Sequence, residues 1–109
     1  MSFSKIILAV SLAVYGFAAS FTAQAQESKE ALYTKSLAAT CANCHGTNGK
    51  VVNGSPVVGL AGLPASYIVE QMTAFKTGTR PATVMHQLAK GYSDVQIEQI
   101  AAFFAAQKK

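Results

Sequence analysis

Two cysteines and a histidine stand together in Cys41-Ala42-Asn43-Cys44-His45, and the chain has no other cysteine. Two thiols three positions apart near a helix end can reach the two vinyl groups on one edge of a porphyrin. Each thiol adds to one vinyl group and forms a thioether. The next residue, His45, then lies under the iron and can donate an imidazole nitrogen to it. Cys-x-x-Cys-His is the attachment signature of c-type haem, so one covalently held haem c is expected here. Three other chemistries use the same residue types. A thioredoxin-like redox pair needs a βαβ context, which the surrounding sequence lacks. A structural zinc site needs a fourth protein ligand; His86 is available, but with two adjacent ligands the spacing is poor. A plain disulfide across two residues would be strained and would leave His45 without a role.

With His45 as one axial ligand, the sixth iron position decides what the site can do. Left open, it binds oxygen, peroxide or nitric oxide; a Met thioether closes it and raises the potential, and a second His closes it at lower potential. The candidates are Met72, Met85 and His86. Met72 shares a helical face with Ile68 and Phe75, which suits core packing. Met85 follows a proline turn in a separate segment, as a ligand from the opposite wall of a pocket should, and is the expected sixth ligand. His86, Met72 and an open site remain alternatives. The simplest reading of His86 is a solvated side chain.

The elements that must position these groups come from a short chain. It has 109 residues and a mass of 11.4 kDa; half of it is hydrophobic and 13% is charged. The first 25 residues hold one charge, Lys5, then an apolar run and the exit Ala23-Gln24-Ala25. This is the layout of a secretory signal peptide with an A-x-A cleavage site. The run is shorter than the about 20 apolar residues a membrane anchor needs and ends in Ser20, Thr22 and Gln24; an uncleaved anchor is the alternative. Residues 1–25 are therefore expected to be a signal peptide and 26–109 a monohaem domain in the periplasm, without a stable membrane span after cleavage. That domain carries a net charge of +3 with no block of like charges, which gives nucleic-acid binding no support. Its 84 residues are marginal for an unaided core, and a covalent cofactor would supply the missing staple.

A first helix is expected over 29–39, running into the cysteine motif and ended by Gly46 and Gly49. Residues 46–63, rich in glycine and containing Pro56, read as an irregular loop. Pro64 suits the first position of a second helix ending at Gly78. A short helix follows within 84–90. Ser93 with Gln96 reads as a capping box, and Tyr92 with Ile97 as a hydrophobic staple. Ile97, Ile100, Ala101 and Phe104 then form one apolar stripe. The fold class is all-α: three to four helices wrapped around one haem.

The segment from Cys41 to Gly46, the glycine-rich loop with Pro56, a later Met and an amphipathic last helix resemble a class I cytochrome c. Phe75-Lys76-Thr77-Gly78-Thr79-Arg80-Pro81, Thr83-Val84-Met85 and Leu88-Ala89-Lys90-Gly91-Tyr92-Ser93-Asp94 are similar to the cytochrome subunit of flavocytochrome c sulfide dehydrogenases. The resemblance implies a non-catalytic, single-electron carrier with His45 and Met85 as axial ligands. It makes Pro56 the residue whose carbonyl holds the His45 ring N–H. The implied partners are redox proteins, including an FAD-containing sulfide dehydrogenase subunit. A free carrier for a respiratory or photosynthetic chain is the alternative, and a peroxidase or gas sensor with an open iron a more distant one. Arg80 and Tyr67 are candidates for bonding a haem propionate. Lys76, Arg80 and Lys90 are candidates for a basic docking rim.

Overall fold

Good helix formers fill positions 29–39, and that stretch is the first helix, α1. The computed structural model describes residues 29–109, so the expected signal peptide lies outside the described residues. The chain divides at Leu32, and the unit of interest is Tyr33–Lys109. Thr40 ends α1 by turning both its backbone N–H and its hydroxyl onto the Leu37 carbonyl. This side-chain competition with the helix ladder breaks the helix just before the cysteines, where an uninterrupted run was expected. Helix α2, Ala42–His45, starts afresh, and a single 3-10 turn, Thr47–Gly49, follows.

Residues 50–63 form the irregular loop, and no strand occurs among the described residues. Helix α3 is Ala65–Thr77. Pro64 stands one position earlier than expected: its ψ of 134° is extended, and its carbonyl accepts from Ile68. It caps the helix instead of occupying the first turn. Gly78 closes α3 in the left-handed conformation. Helix α4 is Met85–Lys90 and helix α5 is Asp94–Ala105. The capping box is present in both directions, Ser93 Oγ accepting from Gln96 N and Gln96 Oε1 from Ser93 N.

The apolar stripe of α5 is the centre of the core. Ile97, Ile100, Ala101 and Phe104 are each at most 2% exposed. Ile68 and Met72 of α3, Ala89 of α4 and Ala38 of α1 complete the buried set, with Phe75, Met85 and Tyr92 packed against it. Helix α3 packs against both α4 and α5. The loop is tied to α5 by the Gly62 N–H, which donates to the Phe104 carbonyl at 2.9 Å. The arrangement therefore places the cysteine motif and the Met85 segment on separate stretches around one small core.

Candidate haem site

Cys41 opens the turn that carries the motif. Its N–H donates to the Ala38 carbonyl, and its own carbonyl accepts from both Cys44 and His45. One helical turn thus spaces the two thiols. Both cysteines are free, Cys41 half-buried and Cys44 exposed. Burial pushes the Cys41 thiol above its ordinary pKa, against a smaller opposing effect from the Thr40 hydroxyl. Gly46 then reverses the chain at φ +78°. A Cβ there would lie 1.9 Å from the Lys50 carbonyl oxygen, so only glycine permits the chain to leave the motif so sharply.

The His45 Nδ1 lies 2.7 Å from the Val58 carbonyl oxygen. A carbonyl can only accept, so Nδ1 carries the proton, and in the neutral ring Nε2 is the nitrogen with the lone pair. The carbonyl is Val58's, two residues past Pro56, which corrects the expectation drawn for Pro56. The reason lies in the loop. The Ser55 hydroxyl bridges Val57, accepting from its N–H and donating to its carbonyl, so Pro56 sits at an exposed bend. After the bend the chain returns to the motif, where the Gly49 carbonyl accepts from Leu60 at 2.8 Å and Ala61 at 3.1 Å. Val58 lies at the start of that return. Ring anchoring by a backbone carbonyl fixes the tautomer and raises the basicity of the other nitrogen.

Met85 is the first residue of α4, partly buried and packed against the core. Met72 is 8% exposed on α3, as its core reading requires. His86 is not simply solvated, because its Nδ1 is buried without a hydrogen-bond partner. The Arg80 guanidinium lies 4.6 Å from the centre of the Phe75 ring and also donates to Gln71 Oε1. Lys76 is engaged by Asp94 and the Tyr92 carbonyl, both at 2.8 Å. Two of the three rim cations are therefore committed to partners within the domain. Tyr67 is exposed on α3. The Lys76 and Tyr92 contacts escaped sequence reading, since a lysine near a helix end looks like an ordinary solvated cation.

The donor set fits a c-type haem: two free thiols on one turn, an imidazole with its Nε2 lone pair available, and a thioether from another segment. The surroundings fit as well. Val52, Val58, Val84 and Leu88 are about half or more exposed, and they lie on the loop and on the Met85 segment. Among the described residues no three His, Cys, Asp or Glu side chains gather as a metal-holding group, which leaves the zinc reading without a ligand set.

The family model for cytochrome c matches residues 30–108. Over 68 residues the chain is 40% identical to the cytochrome subunit of sulfide dehydrogenase of Chlorobaculum tepidum, covering 62% of this chain and 60% of that protein. It is 36% identical over 73 residues to cytochrome c-554(548) of Halomonas halodenitrificans, covering 63% of this chain and 86% of that one. In structure it resembles the cytochrome c4 of Acidithiobacillus ferrooxidans with a TM-score of 0.57 at 38% identity, over 61% of this chain and 37% of that chain.

Proposed function

The chain belongs to the cytochrome c family, and from that premise we propose that it is a single-electron carrier. Cys41 and Cys44 would hold the haem by two thioethers, and His45 and Met85 would supply its protein iron ligands. The observation that carries this reading is the His45–Val58 bond of 2.7 Å, which leaves Nε2 as the ring's free donor atom. When bound, haem c supplies an iron centre that cycles between ferrous and ferric. The chain's own part is to keep that centre's surroundings constant. The two thioethers prevent dissociation. The Val58 carbonyl prevents the His45 ring from turning. A Met85 thioether on the iron would exclude outside ligands and raise the potential. With both side chains held in place, little nuclear rearrangement would accompany gain or loss of one electron.

Residues 1–25 are inferred to be a cleaved export signal, leaving 26–109 as a carrier in the periplasm. Among the described residues no helix is long and apolar enough to cross a membrane. The similarity to a sulfide dehydrogenase subunit supports a dehydrogenase as electron donor, and we propose a flavin-bearing one, with a free carrier as the second reading. The test of the central claim is an optical spectrum of the oxidised holoprotein with and without Met85→Ala. A sulfur-to-iron charge-transfer band is expected in the wild type and in His86→Ala. Met85→Ala should lose it and admit carbon monoxide readily after reduction. A high-spin wild type would overturn the Met85 assignment and favour a sensor or peroxidase.

A further inference from the structure

The segment that carries Met85 is an excursion from the end of α3, and it is pinned on both sides of its base. On the way out, the Arg80 N–H donates to the Ala74 carbonyl at 3.1 Å. On the way back, Lys76 Nζ donates to the Tyr92 carbonyl at 2.8 Å, in a half-buried position, and pairs with Asp94. Between these pins, Val84 and the α4 backbone supply no side-chain cap, so α4 has little local reinforcement of its own. A helix of this length is not stable by itself. Its position depends on packing against α3 and on what holds its ends.

Tyr92 makes a second connection. Its hydroxyl is hydrogen-bonded to Thr40 Oγ1, and Thr40 immediately precedes Cys41. Tyr92 thus joins three stretches: α3 through its carbonyl, the cysteine motif through its hydroxyl, and α5 through the cap that follows it at Ser93. The stretch that bears the thiols and the stretch that bears the thioether are linked directly at this residue.

We propose that Lys76 and Tyr92 are positioning residues for the sixth iron ligand. They clamp the Met85 segment between α3 and the cysteine motif, and so set how readily an external ligand displaces the thioether. The proposal rests on the Met85 reading above. Its physical basis is competition: an incoming ligand binds only the population in which Met85 is off the iron, so its apparent affinity rises as that population rises. Losing one charge-assisted hydrogen bond at the base of the segment should enlarge that population about tenfold. Losing the Tyr92 hydroxyl, a neutral bond at an exposed position, should enlarge it a few-fold.

The experiment titrates imidazole into oxidised holoprotein and follows the charge-transfer band, for wild type, Lys76→Leu, Lys76→Arg, Tyr92→Phe and Asp94→Asn. A denaturant unfolding midpoint is measured for each. Lys76→Leu should bind imidazole about tenfold more tightly and Tyr92→Phe a few-fold. Lys76→Arg, which keeps a charged donor, should return most of the wild-type resistance. Asp94→Asn should change little, because Asp94 is 88% exposed and the Tyr92 carbonyl remains bonded. A merely structural role would lower the midpoints and leave the imidazole affinities equal; that result overturns the proposal. A wild type without the band refutes the Met85 reading itself and the clamp with it, so the two failures are distinguishable.

Discussion

Replacing Gly49 by alanine should damage this domain more than the same change at Gly54. Both residues have positive φ, +77° and +83°. An L-residue held there costs about 1–2 kcal/mol. At Gly54 that is the whole effect, because a Cβ would have no heavy atom within 4 Å. At Gly49 the Cβ would meet the Ala61 backbone N at 2.8 Å, Phe104 Cδ1 at 2.8 Å and Leu60 Cβ at 3.0 Å. None of the three can give cheaply. Phe104 is 1% exposed, and Ala61 N–H is bonded to the Gly49 carbonyl. Overpacking of this kind costs about 1–3 kcal/mol more, so Gly49→Ala should lose about 2–5 kcal/mol in all. The assay is guanidinium unfolding of the holoprotein, comparing midpoints at constant slope. Equal losses for the two variants would refute the claim that Gly49 is required for close approach of the 46–49 turn to α5.

Met72→Ala should cost about 2–5 kcal/mol by cavity formation while the charge-transfer band persists, as read by unfolding and by the spectrum of the same sample. Ser93→Ala should cost about 1 kcal/mol through loss of the α5 cap, measured by the same unfolding series. Cys41→Ser or Cys44→Ser should reduce haem-bearing protein strongly, and intact mass after acid–acetone extraction should show one covalent haem on the wild type alone. Haem-free protein should lack a cooperative thermal transition like that of the holoprotein, which calorimetry on both forms can decide.

The parts of this molecule that were legible in the sequence are those whose physics is local. The stripe Ile97, Ile100, Ala101 and Phe104 follows from helical period alone, and Ser93 with Gln96 follows from capping chemistry. All six behave in the structure as read. The break at Thr40 was missed, because a threonine hydroxyl can point outward or fold back, and only the latter, seen here toward Leu37, ends the helix. The carbonyl opposite His45 was misassigned by two residues for a different reason. Which carbonyl arrives depends on the Ser55 bridge over Pro56 and on where Leu60 and Ala61 bond to Gly49. That choice is made by contacts between distant residues, and residue types do not encode it at fixed spacing. The same holds for Tyr92, whose partner Thr40 is 52 residues away.

The distribution of burial explains why these long-range contacts matter so much. The buried hydrophobic set of the described residues is eight side chains, three of them alanines, and it draws most of its volume from α3 and α5. Helix α4 contributes only Ala89 to it, and α2 contributes no buried residue. Apolar packing alone therefore fixes the two segments of the candidate site weakly, at roughly 1.5–3 kcal/mol for each large side chain that could be fully buried. Polar contacts add to the packing of α4 on α3: the Val58 carbonyl on His45, the Gly49 carbonyl on the returning loop, and Lys76 and Thr40 on Tyr92. A bound haem would add the remaining apolar contact, covering side chains such as Val58 and Leu88 that the chain leaves exposed. In this domain the cofactor would complete the core, while the bond from the Val58 carbonyl sets which way the His45 ring faces.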